Sequence, residues 1–277
     1  MANDVVVVIG AGGIGEAIAR RQGAGKTVLL ADWNEQTLAT TAPALAGASY
    51  RVETRQVDVA QRVSVRALAD FAATLGPVMQ VINAAGLSPN MAPPEQVLSV
   101  DLYGTALVFE EFERVIARGG AGLVVASMAG HMGDALPAQH EHALSFTPAD
   151  ELLALPFLSP EAVPNSMIAY VIAKRANALR ARGAAIGWGA RGARVNSISP
   201  GIVATPLAQH ELASPSGDGY RAMIAASAAG RMAPPEEVAI AAGFLLGPDA
   251  GFVTGSDLLI DGGVIAAMQA GKIGLPE

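Results

Sequence analysis

The chain has 277 residues, of which 51% are hydrophobic and 16% charged, and its net charge is −7. This composition excludes a disordered protein, and the lack of a long basic run argues against nucleic acid or an anionic membrane as a partner. With no cysteine, disulfides and thiolate metal sites are excluded. No secretory signal and no membrane-spanning apolar run are visible, so we expect a cytoplasmic protein.

Short β-branched segments alternate with longer alanine-rich segments along the chain. The predicted strands are Val5–Ile9, Thr27–Ala31, Tyr50–Val57, Val78–Ile82, Gly122–Ala126, Arg194–Ser199 and Leu258–Ile260. Helices are predicted near residues 13–23, 34–46, 61–75, 95–118, 166–188 and 235–246. The alternation predicts an α/β fold, a Rossmann-type doubly wound parallel sheet of about seven strands with helices on both faces. Without a repeat or a linker, we expect residues 1–277 to form a single dinucleotide-binding and catalytic domain.

A glycine-rich loop follows the first predicted strand and begins a helix. Glycines permit a tight turn and a close approach of the backbone to a pyrophosphate, and the helix N-terminus offers free N–H groups. The predicted phosphate-binding residues are Gly10, Gly12, Gly13, Ile14 and Gly15.

Asp32 ends the second predicted strand, and its carboxylate is suited to accept hydrogen bonds from both hydroxyls of an adenosine ribose. It would repel a 2′-phosphate, and the following Trp33-Asn34-Glu35 supplies no cation to receive one. We therefore predict NAD as the cofactor in preference to NADP. Trp33 is also predicted to contact the bound NAD. The alternative is that Asp32 only caps the next helix.

Two further strand ends are candidates for cofactor contacts. Asp58 and Val59 are placed to meet an adenine, and small residues after the fourth strand allow close approach of a cofactor. Strand-end turn chemistry is the alternative for both. The residues of the fourth strand end are Asn83, Ala84, Ala85 and Gly86.

Tyr170 and Lys174 lie four residues apart, so on a helix they share one face. An ammonium group near a phenol favours the phenolate and makes its proton available for transfer. Alone, such a pair is common on helices that carry no function.

The order of these motifs resembles the short-chain dehydrogenase/reductase family over nearly the whole chain. The resemblance also includes Ser127, the segment Asn196–Gly201, the segment Gly230–Ala239 and the closing Asp261-Gly262-Gly263. It implies that Tyr170 is the general acid/base, that Lys174 lowers the pKa of Tyr170 and binds the nicotinamide ribose, and that Ser127 hydrogen-bonds the substrate oxygen. It further implies that the nicotinamide is lined by Pro200, Gly201, Val203 and Thr205.

Three features depart from the family pattern. The glycine loop is one residue shorter than usual. Asp101 stands where the family has a catalytic asparagine, and its charge is expected to raise the pKa of Lys174 and alter the pH profile. Ser127 and Tyr170 are 43 residues apart instead of about a dozen. The excess falls at about residues 131–165 and resembles the arrangement in bacterial 3α-hydroxysteroid dehydrogenase/carbonyl reductase.

The long segments leave alternatives open. Residues 131–165, with one short helix predicted at about 148–155, are either a lid, a substrate wall, an oligomer contact or a surface excursion. Residues 207–223 are either a mobile substrate lid or a surface loop. The sequence His140-Glu141-His142 is interpreted as solvated loop residues, so no metal site is expected.

The sequence thus predicts an NAD-dependent oxidoreductase that interconverts a secondary alcohol and a ketone. The expected substrate is a small apolar molecule, alicyclic or steroid-like, and the expected assembly is a homodimer or homotetramer. One alternative is a nicotinamide-nucleotide-binding sensor or interaction protein of the same fold. An epimerase or dehydratase is disfavoured, since those relatives carry a separate C-terminal substrate domain. Neither substrate identity nor reaction direction follows from the sequence.

Overall fold

The computed structural model describes residues 3–214 and 216–273. Its strands form one parallel sheet in the order β3-β2-β1-β4-β5-β6-β7, which confirms the predicted doubly wound fold. The strands are β1 (Val5–Ile9), β2 (Thr27–Asp32), β3 (Arg51–Gln56), β4 (Val78–Asn83), β5 (Ile116–Val125), β6 (Arg194–Pro200) and β7 (Asp257–Ile260).

Helices cover both faces of this sheet. They are α1 (Gly13–Gln22), α2 (Glu35–Gly47), α3 (Arg62–Leu75), α4 (Pro94–Val97), α5 (Gly104–Glu113), α6 (Ala138–Phe146), α7 (Ala149–Leu152), α8 (Ser166–Ala190), α9 (Pro206–Ala213), α10 (Gly217–Ala226), α11 (Pro235–Leu246) and α12 (Val264–Gln269). One core lies between the sheet and α3, α5 and α8, and a second lies between the sheet and α1, α2 and α11. All five β1 side chains are fully buried, as expected for a strand covered on both faces.

The strand order reverses between β1 and β4, where their carboxyl ends come together. The Ala84 N–H donates to the Ile9 carbonyl at 2.7 Å. A Cβ on Gly10, whose φ is +90°, would lie 2.5 Å from the Ala85 nitrogen, so this contact requires glycine. In open α/β sheets, ligands bind at this reversal of strand order.

The predicted helix over residues 95–118 was wrong in two respects. It is interrupted by a π-helical turn, Leu98–Tyr103, and it ends at Glu113 because β5 begins at Ile116. The strand prediction missed this early start, since the β4–β5 register shifts between Val78 and Gln80. Gly119, whose φ is +83°, permits the register shift. The apolar pattern of this segment had predicted a continuous helix.

Residues 131–165 contain more regular structure than the sequence indicates. The predicted short helix is present as α7, but α6 was missed. Leu144, Leu152 and Leu158 are buried in the core beside α8, so the segment is packed onto the domain. The polar triplet His140-Glu141-His142 lies on α6, with the His140 ring stacked 4.0 Å from the Phe157 ring, and not on a loop.

Residues 207–223 were expected to be a mobile substrate lid or a surface loop. The described residues of this range, 207–214 and 216–223, contain most of α9 and most of α10, and residue 215 lies outside the described residues. Thr205 caps α9, since the Ala208 N–H donates to the Thr205 hydroxyl oxygen at 3.2 Å. Within the described part of the chain, no helix is long and apolar enough to cross a membrane.

Candidate active site

A cleft of about 670 Å³ opens at the carboxyl ends of the central strands. Residues from the ends of β5 and β6, from α8 and from the α9–α10 segment line it. Both Ser127 and Tyr170 are among these lining residues. The structure therefore brings two hydroxyl groups that are 43 residues apart in sequence to one cavity.

Ser127 lies just beyond β5 and precedes a 3₁₀ turn, Met128–His131. Its side-chain oxygen accepts the Ala129 N–H at 3.1 Å, which holds the serine at the start of the turn. The turn packs directly on helix α8. A Cβ on Gly130 would lie 2.7 Å from the Arg175 nitrogen and 2.8 Å from the Lys174 carbonyl carbon.

Helix α8 carries Tyr170 and Lys174 on one face, as predicted. The Asn165 side chain caps the helix by accepting the Ile168 N–H at 2.9 Å. The Lys174 ammonium nitrogen lies 5.4 Å from the centre of the Tyr170 ring. Lys174 is buried, whereas Tyr170 is half-buried at the cleft wall. The ammonium thus lies behind the phenol and away from solvent.

Asp101 is the counter-ion of that ammonium. Its Oδ2 atom lies 3.1 Å from the Lys174 nitrogen, its Oδ1 atom accepts the Leu87 N–H at 2.8 Å, and it is fully buried. Burial lowers the pKa of Lys174, but Asp101 and Tyr170 raise it, and the net direction is upward. The sequence predicted this direction. Burial raises the pKa of Asp101 against the opposing effect of Lys174.

The π-helical turn determines where Asp101 lies. The Thr105 hydroxyl donates to the Asp101 carbonyl at 2.8 Å, and the Asn83 amide donates to that hydroxyl oxygen at 3.2 Å. The Asn177 side-chain amide nitrogen faces the Asp101 carbonyl and the Thr105 hydroxyl, and it donates to the Asp101 carbonyl at 2.8 Å. Asn83 therefore helps support the ion pair, in addition to ending a strand beside the predicted cofactor.

Burial raises the pKa of Tyr170 above its ordinary value. The Lys174 ammonium and the Ser127 hydroxyl lower it, and the Asp101 and Glu211 carboxylates raise it. Lys174 therefore lowers the pKa of Tyr170, as expected, but burial raises that pKa by more. Since Asp101 and Lys174 form a neutral pair, the electric field of the ammonium at the phenol is weakened.

The glycine loop follows β1 and Asp32 ends β2, so the two lie together at the carboxyl ends of these neighbouring strands. One Asp32 oxygen accepts the Ala11 N–H and the other accepts the Asn34 N–H, each at 2.8 Å. Asp32 thus supports the loop before α1 as well as the start of α2. Gly12, at the N-cap of α1, has open space where a side chain would be, whereas Gly15 touches the Gly10 carbonyl.

The other predicted cofactor residues occupy varied positions. Trp33 is 68% exposed, and Val59 is buried with its side chain against Gly104. Asp58 accepts the Ala60 N–H at 2.9 Å, which is strand-end turn chemistry. Gly86 packs on the buried ion pair, since a Cβ there would lie 3.0 Å from the Lys174 nitrogen. The cleft is directly lined by Ile14, Pro200, Gly201, Val203 and Thr205.

Comparison with known proteins identifies the family. Residues 4–138 match the family model described as short chain dehydrogenase, and residues 146–265 match one described as Enoyl-(Acyl carrier protein) reductase. A short-chain dehydrogenase/reductase of Alternaria brassicicola is 39% identical over 97% of this chain and 98% of its own length. The chain belongs to the short-chain dehydrogenase/reductase family.

One further relative supports this membership, and one solved structure shares the fold. A 3-alpha-hydroxysteroid dehydrogenase/carbonyl reductase of Comamonas testosteroni is 32% identical, over 74% of this chain and 79% of its own length. The crystal structure of levodione reductase covers 96% of this chain and 99% of its own, with a TM-score of 0.77 at 23% identity, and so shares the fold. As a family member, the protein is an oxidoreductase that acts on CH–OH groups and uses a nicotinamide cofactor.

The residues present fit such a cofactor. Helix α1 has no side-chain cap at Gly12, so N–H groups of its first turn are free to face a pyrophosphate. Asp32 retains lone pairs for ribose hydroxyls beside its two backbone bonds.

Sequence reasoning missed a cluster of polar side chains in the cleft wall. It is formed by Ser88 and Asn90 from the loop after β4, Glu211 from α9 and Tyr220 from α10, all of which line the cleft. These residues belong to no short motif, and only the folded chain brings them together.

Proposed function

We propose that this family member is an NAD-dependent dehydrogenase/reductase that interconverts a secondary alcohol and a ketone. The observation that carries the proposal is the presence of the Ser127 and Tyr170 hydroxyls in one cleft, with the Lys174 ammonium one helical turn behind Tyr170. A bound nicotinamide dinucleotide supplies or accepts the hydride. No observation favours the alternative of a sensor without turnover.

The chemistry assigned to the protein is proton transfer and orientation. In oxidation, the Tyr170 phenolate takes the proton of the substrate hydroxyl, and in reduction the phenol donates it to the carbonyl oxygen. Ser127 holds the same oxygen by a hydrogen bond, which restricts its orientation. Lys174 stabilises the phenolate electrostatically and is suited to bind a ribose hydroxyl.

The preference for NAD rests on Asp32. Its carboxylate is held by two backbone N–H groups, so it cannot easily turn away from a 2′-phosphate. We expect NADH to bind more tightly than NADPH, by at least about tenfold given the cost of opposing like charges. Asp32→Ala should narrow this difference without removing the fold. Tighter binding of NADPH by the unaltered protein would refute the assignment.

An apolar substrate is supported by the remaining cleft walls. Methionine side chains from three elements, Met132, Met167 and Met223, line the cleft together with Leu207 and Ile202. Flexible thioether side chains adapt to irregular apolar shapes. The steroid named in the Comamonas testosteroni relative belongs to the same broad class, so alicyclic alcohols are the first candidates.

The decisive test is a screen of secondary alcohols with NAD, followed by replacement of Tyr170. We expect Tyr170→Phe to lower kcat by at least about a hundredfold, the usual contribution of general acid–base catalysis, with cofactor affinity nearly unchanged. Tyr50→Phe is the control, since Tyr50 donates to the Arg20 carbonyl far from the cleft. Full turnover by Tyr170→Phe would exclude the mechanism.

Residues 131–165 are proposed to be an insertion in the family framework that supports one cleft wall. Met132 lines the cleft, and Arg175 of α8 donates to the Met132 carbonyl at 2.8 Å and the Gly130 carbonyl at 2.9 Å. The proposed assembly remains a homodimer or homotetramer, which sedimentation measurements will test.

A further inference from the structure

The lining of the cleft contains one formally charged side chain. Its lining side chains are apolar groups, hydroxyls and amides, and among the described residues Glu211 is the single charged member of the lining. The Lys174 ammonium is not part of this surface, because it is buried and paired with Asp101. A ligand in the cleft therefore meets one negative charge with no lining cation to balance it.

Glu211 is held in place by two hydrogen-bond donors from the loop after β4. The Ser88 hydroxyl donates to Oε1 and the Asn90 amide donates to Oε2. The Tyr220 phenol of α10 lines the same cavity. Glu211 is only 4% exposed. Each of the two side-chain oxygens therefore accepts a hydrogen bond, which is the arrangement of a carboxylate.

The charge of Glu211 affects the pKa values of two tyrosines that line the cleft. Together with burial, it raises the pKa of Tyr220, and it contributes to raising the pKa of Tyr170. Its electric field therefore extends across the cavity to the Tyr170 phenol.

We infer that Glu211 makes this cleft selective for uncharged alcohols and ketones and excludes substrates with a carboxylate or phosphate on the part that enters the cleft. This inference rests on the proposed alcohol/ketone reaction and specifies its substrate class. An anionic substrate would lose its hydration and approach a buried like charge, and such repulsion is an established source of selectivity. Hydroxy acids and sugar phosphates are thereby excluded, whereas alicyclic alcohols are admitted.

The test compares two ketones that differ in one charge, 4-oxocyclohexanecarboxylate and its methyl ester. Their dissociation constants are measured by isothermal titration calorimetry of the protein loaded with NAD⁺, which has no hydride to give to a ketone. We expect the ester to bind at least about tenfold more tightly to the unaltered protein, consistent with the cost of like-charge contact. Equal affinity, tighter binding of the carboxylate, or no binding of the ester would overturn the inference.

Two substitutions separate charge from shape. Glu211→Gln removes the charge and should bring the two affinities to within about threefold of each other, because the repulsion is gone. Glu211→Asp retains the charge but shortens the side chain, so it should keep the preference for the ester. Loss of the preference in both variants would assign it to the position of α9 and refute a charge effect. If Glu211→Gln does not fold, the unaltered protein decides with 4-oxocyclohexanecarboxamide, which has the shape of the carboxylate without its charge. The amide should bind at least about tenfold more tightly than the carboxylate, and equal affinity would overturn the inference.

Asp218→Asn is the matched control. It removes one negative charge from the neighbouring α10, but the Asp218 side chain is 95% exposed and paired with Arg221. We expect the ester preference to be unchanged, since solvent screens this charge. Because binding to the NAD⁺ complex is measured without turnover, failure to oxidise NADH with either ketone in a separate assay would count against the proposed reaction and leave the affinity ratio readable.

Discussion

The Asp101–Lys174 pair is the residue-scale feature that most distinguishes this site. Both side chains are buried and their charged atoms are 3.1 Å apart. Gly86 packs over them, and a Cβ at that position would lie 3.3 Å from Asp101 Oδ2 and 3.0 Å from the Lys174 nitrogen. A buried pair of this kind is not a strong source of stability, because desolvation offsets the attraction. Its consequence lies in the pKa values of Lys174 and Tyr170.

We expect Asp101→Asn to shift the pH profile of alcohol oxidation to lower pH. Asp101 raises the pKa of both Tyr170 and Lys174, so its removal lowers both and leaves the ammonium unneutralised beside the phenol. The phenolate then forms at lower pH, and the rising limb of kcat/KM against pH moves in the acid direction. An unchanged profile, or an alkaline shift, would contradict this role of the pair.

The same substitution removes one partner of a buried ion pair, so stability must be measured beside activity. Rates should be expressed per folded protein, with the Tm of each variant recorded. Asp70→Asn is the control, since Asp70 is a half-exposed partner of Arg114 and lies on α3. It should leave the pH profile unchanged.

At the scale of elements, the junction between the 3₁₀ turn and α8 sets the catalytic geometry. Gly130 brings the turn into contact with the helix backbone, and the Arg175 guanidinium donates to the carbonyls of Gly130, Met132 and Asp134. The junction therefore fixes Ser127 relative to Tyr170, whatever the length of chain between them. This explains how Ser127 and Tyr170, which are 43 residues apart in the sequence, belong to one active site.

We expect Gly130→Ala to lower kcat by at least about tenfold, because a misplacement of about 1 Å is sufficient for large losses. The added Cβ would meet the α8 backbone at 2.7 Å and push the turn away. Stability should fall by about 1–3 kcal/mol, as for other overpacked sites. Urea unfolding and steady-state kinetics measure the two effects.

Gly189→Ala is the matched control for this experiment. Gly189 lies on the same helix, α8, and a Cβ added to it would have no neighbouring atom within 4 Å. Alanine there should keep full activity and stabilise the helix slightly. Equal behaviour of the two variants would show that the junction does not control the geometry.

At the scale of the whole molecule, Glu111 links helices across the sheet face. Its side chain is 1% exposed on α5, and it pairs with Arg62 at 2.8 Å and Arg66 at 2.9 Å, both on α3, as well as with Arg114. Hydrogen bonds from Arg66, and then from Arg62, hold the pKa of Glu111 at about 2, against an opposing effect of burial. Glu110 and Asp150 extend the network to α7 through Arg62.

We expect Glu111→Gln to reduce stability by about 1–3 kcal/mol at pH 7, typical of hydrogen bonds to a charged group. The folded pKa lies below the ordinary value of 4.5, so the contribution is complete above that pH and is lost as pH falls towards about 2. The difference between the unaltered protein and the variant should therefore shrink over that window. Urea unfolding at several pH values measures it.

Glu53→Gln serves as the control for charge alone, because Glu53 is exposed on the edge strand β3. Its unfolding free energy should change little with pH relative to the unaltered protein. A constant difference between Glu111→Gln and the unaltered protein from pH 7 to pH 2 would contradict the linkage argument.

The sequence by itself determined the parallel sheet, the glycine loop before α1, Asp32 at the end of β2, and the Tyr170–Lys174 pair on one helix. Each of these depends on residues that are close in sequence: apolar runs form buried strands, glycines permit turns, and a spacing of four residues shares a helix face. That is why the fold and family were accessible before any coordinates.

Only the tertiary structure decided the partners that lie far apart along the chain. It placed Gly130 against α8 and Glu211 between Ser88 and Asn90. It also showed that Asp101 and Lys174 are both buried, with their charged atoms 3.1 Å apart. It also revealed α6 and the bulged start of β5, where local patterns conflict with long-range packing. Burial and charge pairing depend on distances in space, which no local pattern specifies. The proton-transfer pair was therefore predictable from sequence, and its counter-ion from the family pattern, whereas the charge of the cleft was not.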